Sequence, residues 1–142
     1  MYSSGTTGQV KGVMLTHRNL TAIVANYYAL RPERESPAVV LYTMPYFHVI
    51  GFFYCMKSVA LSETVVVMER FDLKKMLRAV EELRVTNVAM APPVVVAMTK
   101  SEVTKEYDLK SLEVCGCGGA PLGKDVIAAF TAKFPGVLLI QV

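Results

Sequence analysis

The stretch "TVVVMERFDLKKMLRAVEELRVTNVAMA", Thr64 to Ala91, contains a complete strand–helix–strand passage. Thr64 to Met68 is a β-branched, continuously apolar run of strand length, the pattern of a strand buried on both faces. Asp72 then caps an amphipathic helix that reaches Leu83, and Thr86 to Ala91 is the next strand. Two such strands joined by a helix indicate a parallel-type crossover connection.

The same alternation continues in both directions. Upstream, Gly51 to Leu61 reads as an apolar helix and Ala38 to Tyr42 as a strand that Pro45 stops. Before them, Leu20, Ile23, Val24, Tyr27 and Tyr28 recur at helical spacing behind the cap Thr16, predicting a helix packed by one face and ended by Pro32. Downstream, Pro92-Pro93 opens a helix to about Lys100, followed by a strand over Leu112 to Cys117, a helix over Lys124 to Lys133 and a strand over Val137 to Gln141. The fold class is therefore α/β, alternating strands and helices, with no internal repeat. Tyr46, Phe52, Phe53 and Tyr54 are assigned to the core, and His17 to a helix start.

Composition fits that class. The 142 residues are 53% hydrophobic and 19% charged, with a net charge of +3 and mean hydropathy of +0.38. The positive charge is dispersed, with Lys74-Lys75 the only paired lysines, so no nucleic-acid partner is expected. The apolar stretches Leu41 to Leu61 and Val85 to Met98 are broken by Pro45, His48 and Lys57 and by Asn87 and Pro92-Pro93, so no membrane span is expected. Met1 to Ser4 shows no basic segment followed by an apolar core, so no signal peptide is expected. Cys55, Cys115 and Cys117 read as free buried thiols of a reducing compartment, because Cys115-Gly116-Cys117 is too tightly spaced for the usual zinc pair.

In such sheets ligands gather beyond the carboxyl ends of the strands. The loops of interest are then Ser3 to Gly12, Met44 to His48, Ala91 to Pro93, Gly116 to Pro121, and the chain beyond Gln141. In the first, Gly5, Gly8 and Gly12 let backbone amides turn inward, the hydroxyls of Ser3, Ser4, Thr6 and Thr7 add donors, and Lys11 adds a point charge. Polyphosphate is the natural occupant, although composition alone equally allows a mobile turn. Lys11 is followed by Gly12, so this is not a Walker loop.

The string Ser3 to Gly12, followed by Val13-Met14-Leu15-Thr16-His17, resembles the phosphate-binding signature SSGTTGxPKG of the adenylate-forming superfamily: acyl-CoA synthetases, luciferases and peptide-synthetase adenylation domains. Val10 stands where that family usually has proline. Met44 to His48 resembles the family's P-x-F-H segment, and Gly118 to Leu122 its G-G-A-P-L loop. Lys105 to Leu109 and Ala120 to Lys124 are similar to plant 4-coumarate-CoA ligases and their ligase-like relatives.

The resemblance implies a chemistry: a carboxylic acid and ATP give acyl-AMP and pyrophosphate, and the acyl group then passes to CoA. It implies that Ser3, Ser4, Gly5, Thr6, Thr7, Gly8 and Lys11 hold the ATP phosphates, with Mg2+ carried on ATP, Thr6 near it, and no metal site on the protein. Lys11 and His48 become the catalytic candidates, His48 beside the carboxylate. Cys117, Gly118, Gly119, Ala120, Pro121 and Gln141 would line the adenine and acyl pocket, with His48 and Ile50 on the substrate side. Ile50 replaces the tyrosine of hydroxycinnamate ligases and favours an apolar acid; Gly116 and Cys117 replace the usual Lys and Ser.

The family continues past Gln141 with further nucleotide-binding segments and a second domain, so residues 1–142 are expected to be part of one AMP-binding domain and inactive alone. The alternative is a non-catalytic protein that binds nucleotide or associates with a full-length ligase. Cytoplasmic or peroxisomal placement follows from the resemblance.

Overall fold

The computed structural model describes residues 2–3, 8–31 and 33–141. An antiparallel ribbon, β1 (Tyr2–Ser3) and β2 (Lys11–Gly12), leads into α1 (His17–Leu30). Then follow β3 (Val39–Tyr42), α2 (Val49–Ala60), β4 (Thr64–Val66), α3 (Leu73–Glu82), β5 (Asn87–Met90) and α4 (Pro92–Lys100). A 3-10 turn (Glu102–Glu106), β6 (Val114–Cys117), α5 (Lys124–Lys133) and β7 (Leu138–Gln141) complete it. Strands β3 to β7 form one all-parallel sheet in the order β4-β3-β5-β6-β7.

That order reverses direction once. The chain leaves β3 through α2 to reach β4 on one side; α3 then carries it back past β3 to β5, and α4 and α5 step onward to β6 and β7. Right-handed crossovers must therefore put α2 on one face and α3, α4 and α5 on the other. The core divides in this way. Met76, Leu77 and Val80 of α3, Val94, Val95 and Met98 of α4, and Phe130 of α5 pack with Leu41, Val88, Met90, Cys115 and Cys117. On the opposite face, Val40, Tyr42 and Ala89 meet Tyr54 of α2.

Element types follow the expectation and some boundaries move. The strand expected from Leu112 begins at Val114, because the Leu112 N–H is taken by the Leu109 carbonyl at 3.0 Å in a turn. The strand expected to reach Met68 ends at Val66, which pairs with Leu41. Asp72 caps α3 and Thr16 caps α1, the latter in a reciprocal box with Asn19. Pro32 lies outside the described residues; α1 ends at Leu30 with Arg31 as its C-cap.

Two packing expectations need correction. No residue of α1 is fully buried, and Ile23 and Tyr28 are exposed; the helix rests on α2. Phe52 is also exposed and Tyr46, Phe53 and Tyr54 are only half-buried, since α2 is covered by α1 along one side alone.

What anchors α2 is a buried polar knot absent from the sequence-based picture. The ammonium of Lys57 donates to both carboxylate oxygens of Glu63 at 2.8 and 2.9 Å, over the rings of Tyr27 and Tyr54 at 5.6 and 5.7 Å. Ser58 Oγ donates to Glu63 at 2.8 Å and lies 2.6 Å from the Tyr42 hydroxyl. Tyr42 stacks on Tyr54 with ring centroids 4.9 Å apart, and burial pushes both hydroxyls up from their ordinary pKa. Lys57→Met should lower the unfolding free energy by about 3 kcal/mol, because Glu63 is left charged and buried. Lys57→Met with Glu63→Gln should recover most of that loss. Urea unfolding followed by circular dichroism measures both; equal losses in the single and double variants would show that the pairing itself does not matter.

Candidate functional site

The reversal of strand order creates a crevice beyond the carboxyl ends of β3 and β5, the position where open α/β sheets bind ligands. Its floor is stitched by Thr43, whose N–H and Oγ1 both donate to the Ala89 carbonyl, at 3.0 and 3.1 Å. The turn that follows, Met44 to His48, therefore starts from a pinned backbone.

His48 ends this turn and begins α2. Its N–H donates to the Pro45 carbonyl at 3.1 Å, its carbonyl accepts from Phe52 N at 2.9 Å, and its Nδ1 accepts from Ile50 N at 3.3 Å. It is the N-cap of α2 and it is exposed. Ile50, in the first turn of the helix, is half-buried. The turn also holds the Tyr46 hydroxyl, buried without a hydrogen-bond partner.

On the other side of the crevice, α4 starts at Pro92 with Ala91 as an N-cap that makes no side-chain hydrogen bond. One strand further, Gly118 N donates to the Met90 carbonyl at 3.4 Å, tying the Gly118–Pro121 loop to the end of β5. Gly119 takes φ +91°, a conformation that costs glycine little and other residues more. Gly119, Ala120 and Pro121 are exposed, and so is Gln141, whose Cα partner across the sheet is Cys117. Helices α2, α4 and α5 all begin at this end, so their N-terminal partial charges make it favourable to anions.

Cys117 is placed differently from its neighbours. Its side chain is fully buried on the α3–α5 face, beside Cys115 in the core, so only its backbone reaches the crevice end. Burial pushes both thiols up, that of Cys115 to about 12, with Cys117 adding a smaller electrostatic push.

The glycine- and hydroxyl-rich segment is a hairpin. Ser3 pairs with Lys11 and Tyr2 with Gly12, and Gly8 adopts φ +97°. Ser3, Lys11 and Gly12, expected in a loop, thus sit on strands. Ser4, Gly5, Thr6 and Thr7 lie outside the described residues. Among the described residues no group of three or more His, Cys, Asp or Glu could hold a metal ion. No helix among them is long and apolar enough to cross a membrane.

The structure thus brings His48, Gly118 to Pro121 and Gln141 to one end of one sheet, through β3, β6 and β7. Gly51 and Thr43 were missed from sequence. A glycine inside an apolar helix was the available signal for the first; nothing local marks the second.

A family model described as AMP-binding enzyme matches residues 1–142. The chain is 49% identical over 143 residues to 4-coumarate–CoA ligase-like 9 of Arabidopsis thaliana, covering 99% of this chain and 25% of that protein. It superposes with a TM-score of 0.87 and 28% identity on the inhibitor-bound N-terminal domain of FACL13 from Mycobacterium tuberculosis, covering 99% of this chain and 35% of that one. The amide bond synthetase McbA from Marinactinospora thermotolerans gives a TM-score of 0.88 at 29% identity, covering 99% of this chain and 28% of that one. The chain therefore spans about a quarter of the length of the curated relatives it matches.

The placement of the cysteines gives a direct check on the site's inner wall. At pH 8 the native chain should take up one iodoacetamide, on half-buried Cys55, and all three thiols should react only on unfolding. Intact mass spectrometry reads the count. Rapid native labelling of Cys117 would mean that its side chain opens to the crevice.

Proposed function

Since the chain belongs to the AMP-binding enzyme family, we propose that it is the nucleotide- and acid-handling segment of a carboxylic acid–CoA ligase. The reaction joins an ionised acid to the α-phosphorus of ATP, releases pyrophosphate, and passes the acyl group to CoA. The observation that carries the reading is the sheet: the His48 turn and the Gly118–Pro121 loop leave parallel strands at the same end, around the reversal of strand order.

In this reading the hairpin supplies the phosphate contacts. Ser3, Ser4, Gly5, Thr6, Thr7 and Gly8 offer amides and hydroxyls, and Lys11 offsets the charge that grows on the departing pyrophosphate, an electrostatic contribution from a preorganised loop. Magnesium arrives bound to ATP, with Thr6 beside it. Gly118 to Pro121, the backbone of Cys117, and Gln141 border the adenine, and the left-handed Gly119 lets the chain pass close to a flat base. His48 meets the carboxylate. Ile50 gives the acid pocket an aliphatic wall, which suits an apolar acid better than a phenolic one. The names of the relatives support the acid–thiol ligase class, and three free thiols accord with a reducing compartment, cytoplasm or peroxisome.

Titration calorimetry with ATP and magnesium should detect binding to this chain, and Lys11→Ala should weaken it about tenfold or more, the loss of one charge-assisted phosphate contact. Affinity unchanged by Lys11→Ala would overturn the role of the hairpin. Carboxylate-dependent ATP–pyrophosphate exchange should be absent from the chain alone, because positioning and closure need the whole site. Clear exchange would overturn that expectation.

A further inference from the structure

The turn that carries His48 lies directly on the first turn of α2, and one residue makes this packing feasible. A Cβ built on Gly51 would stand 2.3 Å from the Pro45 carbonyl oxygen, 2.8 Å from Tyr46 Cα and 2.9 Å from the Pro45 carbonyl carbon. All three are backbone atoms that cannot step aside as a flexible side chain could. Any larger residue must lift the turn off the helix, although glycine at an interior helical position otherwise costs about 1 kcal/mol relative to alanine.

The packing has a chemical consequence. With the turn seated, the Pro45 carbonyl accepts the His48 N–H, and His48 Nδ1 accepts the Ile50 N–H. A neutral imidazole whose Nδ1 accepts a hydrogen bond carries its proton on Nε2. We infer that Gly51 is a positioning residue that fixes His48 as an Nε2–H donor, so that His48 binds an anionic oxygen of the acid by donating a hydrogen bond and does not act as a base.

This rests on the ligase reading for the identity of the ligand, and the bond balance of that reaction agrees with it. The acid enters ionised, its carboxylate oxygen forms a bond to the α-phosphorus, and the bond from that phosphorus to the pyrophosphate oxygen breaks with its electron pair. No proton is removed from the acid, so a base at His48 has nothing to take. A donor at that position holds one carboxylate oxygen and leaves the other free to attack.

The chain has two histidines, His17 and His48, which makes the test direct. Long-range 1H–15N correlation on the 15N-labelled chain, at a pH where the rings are neutral and with no ligand present, reports which ring nitrogen carries the proton. Exposed His17 serves as the internal reference for an unconstrained ring. His48 is expected to show a fixed pattern, Nδ1 at the unprotonated and Nε2 at the protonated extreme. Gly51→Ala should move both signals toward the averaged positions of His17.

Ile50→Pro provides a variant that does not depend on that packing change. It deletes the N–H that Nδ1 accepts at the second helical position, where α4 already carries Pro93, and should relax the pattern in the same direction. An Nδ1–H pattern in the parent chain, a parent pattern already matching His17, or a fixed pattern that survives Ile50→Pro would each overturn the inference. Because no nucleotide or acid is added, these outcomes are separate from the ATP titration, whose failure would instead remove the ligase reading.

Discussion

The structure depends on β3 being a central strand, paired in parallel on both sides and covered on both faces. Val40 and Leu41, adjacent and therefore pointing to opposite faces, are both fully buried. Burying two β-branched or branched side chains contributes about 1.5–3 kcal/mol each and holds the register against a one-residue slip, which would exchange the two faces. Because β4 lies on one side of β3 and β5 on the other, the connection after β3 and the connection after β5 must diverge. The crevice is the geometric result of that divergence, and Thr43 bonding twice to the Ala89 carbonyl sets its floor.

The two faces of the sheet are sealed in different ways. The α3–α5 face is apolar, built from Met76, Leu77, Val95, Met98 and Phe130, all fully buried. The α2 face instead contains a lysine–glutamate pair between tyrosine rings. Taking both charges out of water costs more than their mutual attraction reliably returns, so such a pair is a poor source of net stability. It is a good source of uniqueness: Lys57 and Ser58 can satisfy Glu63 in only one rotation of α2, whereas apolar contacts alone would tolerate several. Through Tyr42, the last residue of β3, the knot reaches the strand from which the His48 turn departs.

Much of this order was legible in the residues because the signals were local and agreed with one another. Val39 to Tyr42, Asp72 before an amphipathic run, Pro92-Pro93 at a helix start and Lys124 to Lys133 each carry a pattern that propensity and capping can read. What was not legible depended on partners distant in sequence. Ile23 and Tyr28 have the spacing of a buried face, yet nothing in the sequence says that α1 would rest on α2 and leave them exposed. Cys117 sits in the glycine-loop motif, but the parity of β6 turns its side chain toward the helices with Cys115, two residues earlier on the same face. The burial of Lys57 with Glu63 arises from Tyr27 and Tyr54, which are remote or on the same helix and only meet in three dimensions.

The hairpin and the sheet illustrate two kinds of legibility. The string Ser3 to Gly12 was recognised by composition and order, and the fold adds only that Ser3 faces Lys11 across a ribbon. The His48 turn was recognised by its residues, but its chemistry lies in a contact that no motif records, the backbone of Pro45 and Tyr46 resting where a side chain at position 51 would be. A single hydrogen atom at Gly51 decides whether the histidine stays a helix cap. The identity of the ring nitrogen that faces outward is thus set by packing in the first turn of α2, before any ligand is present.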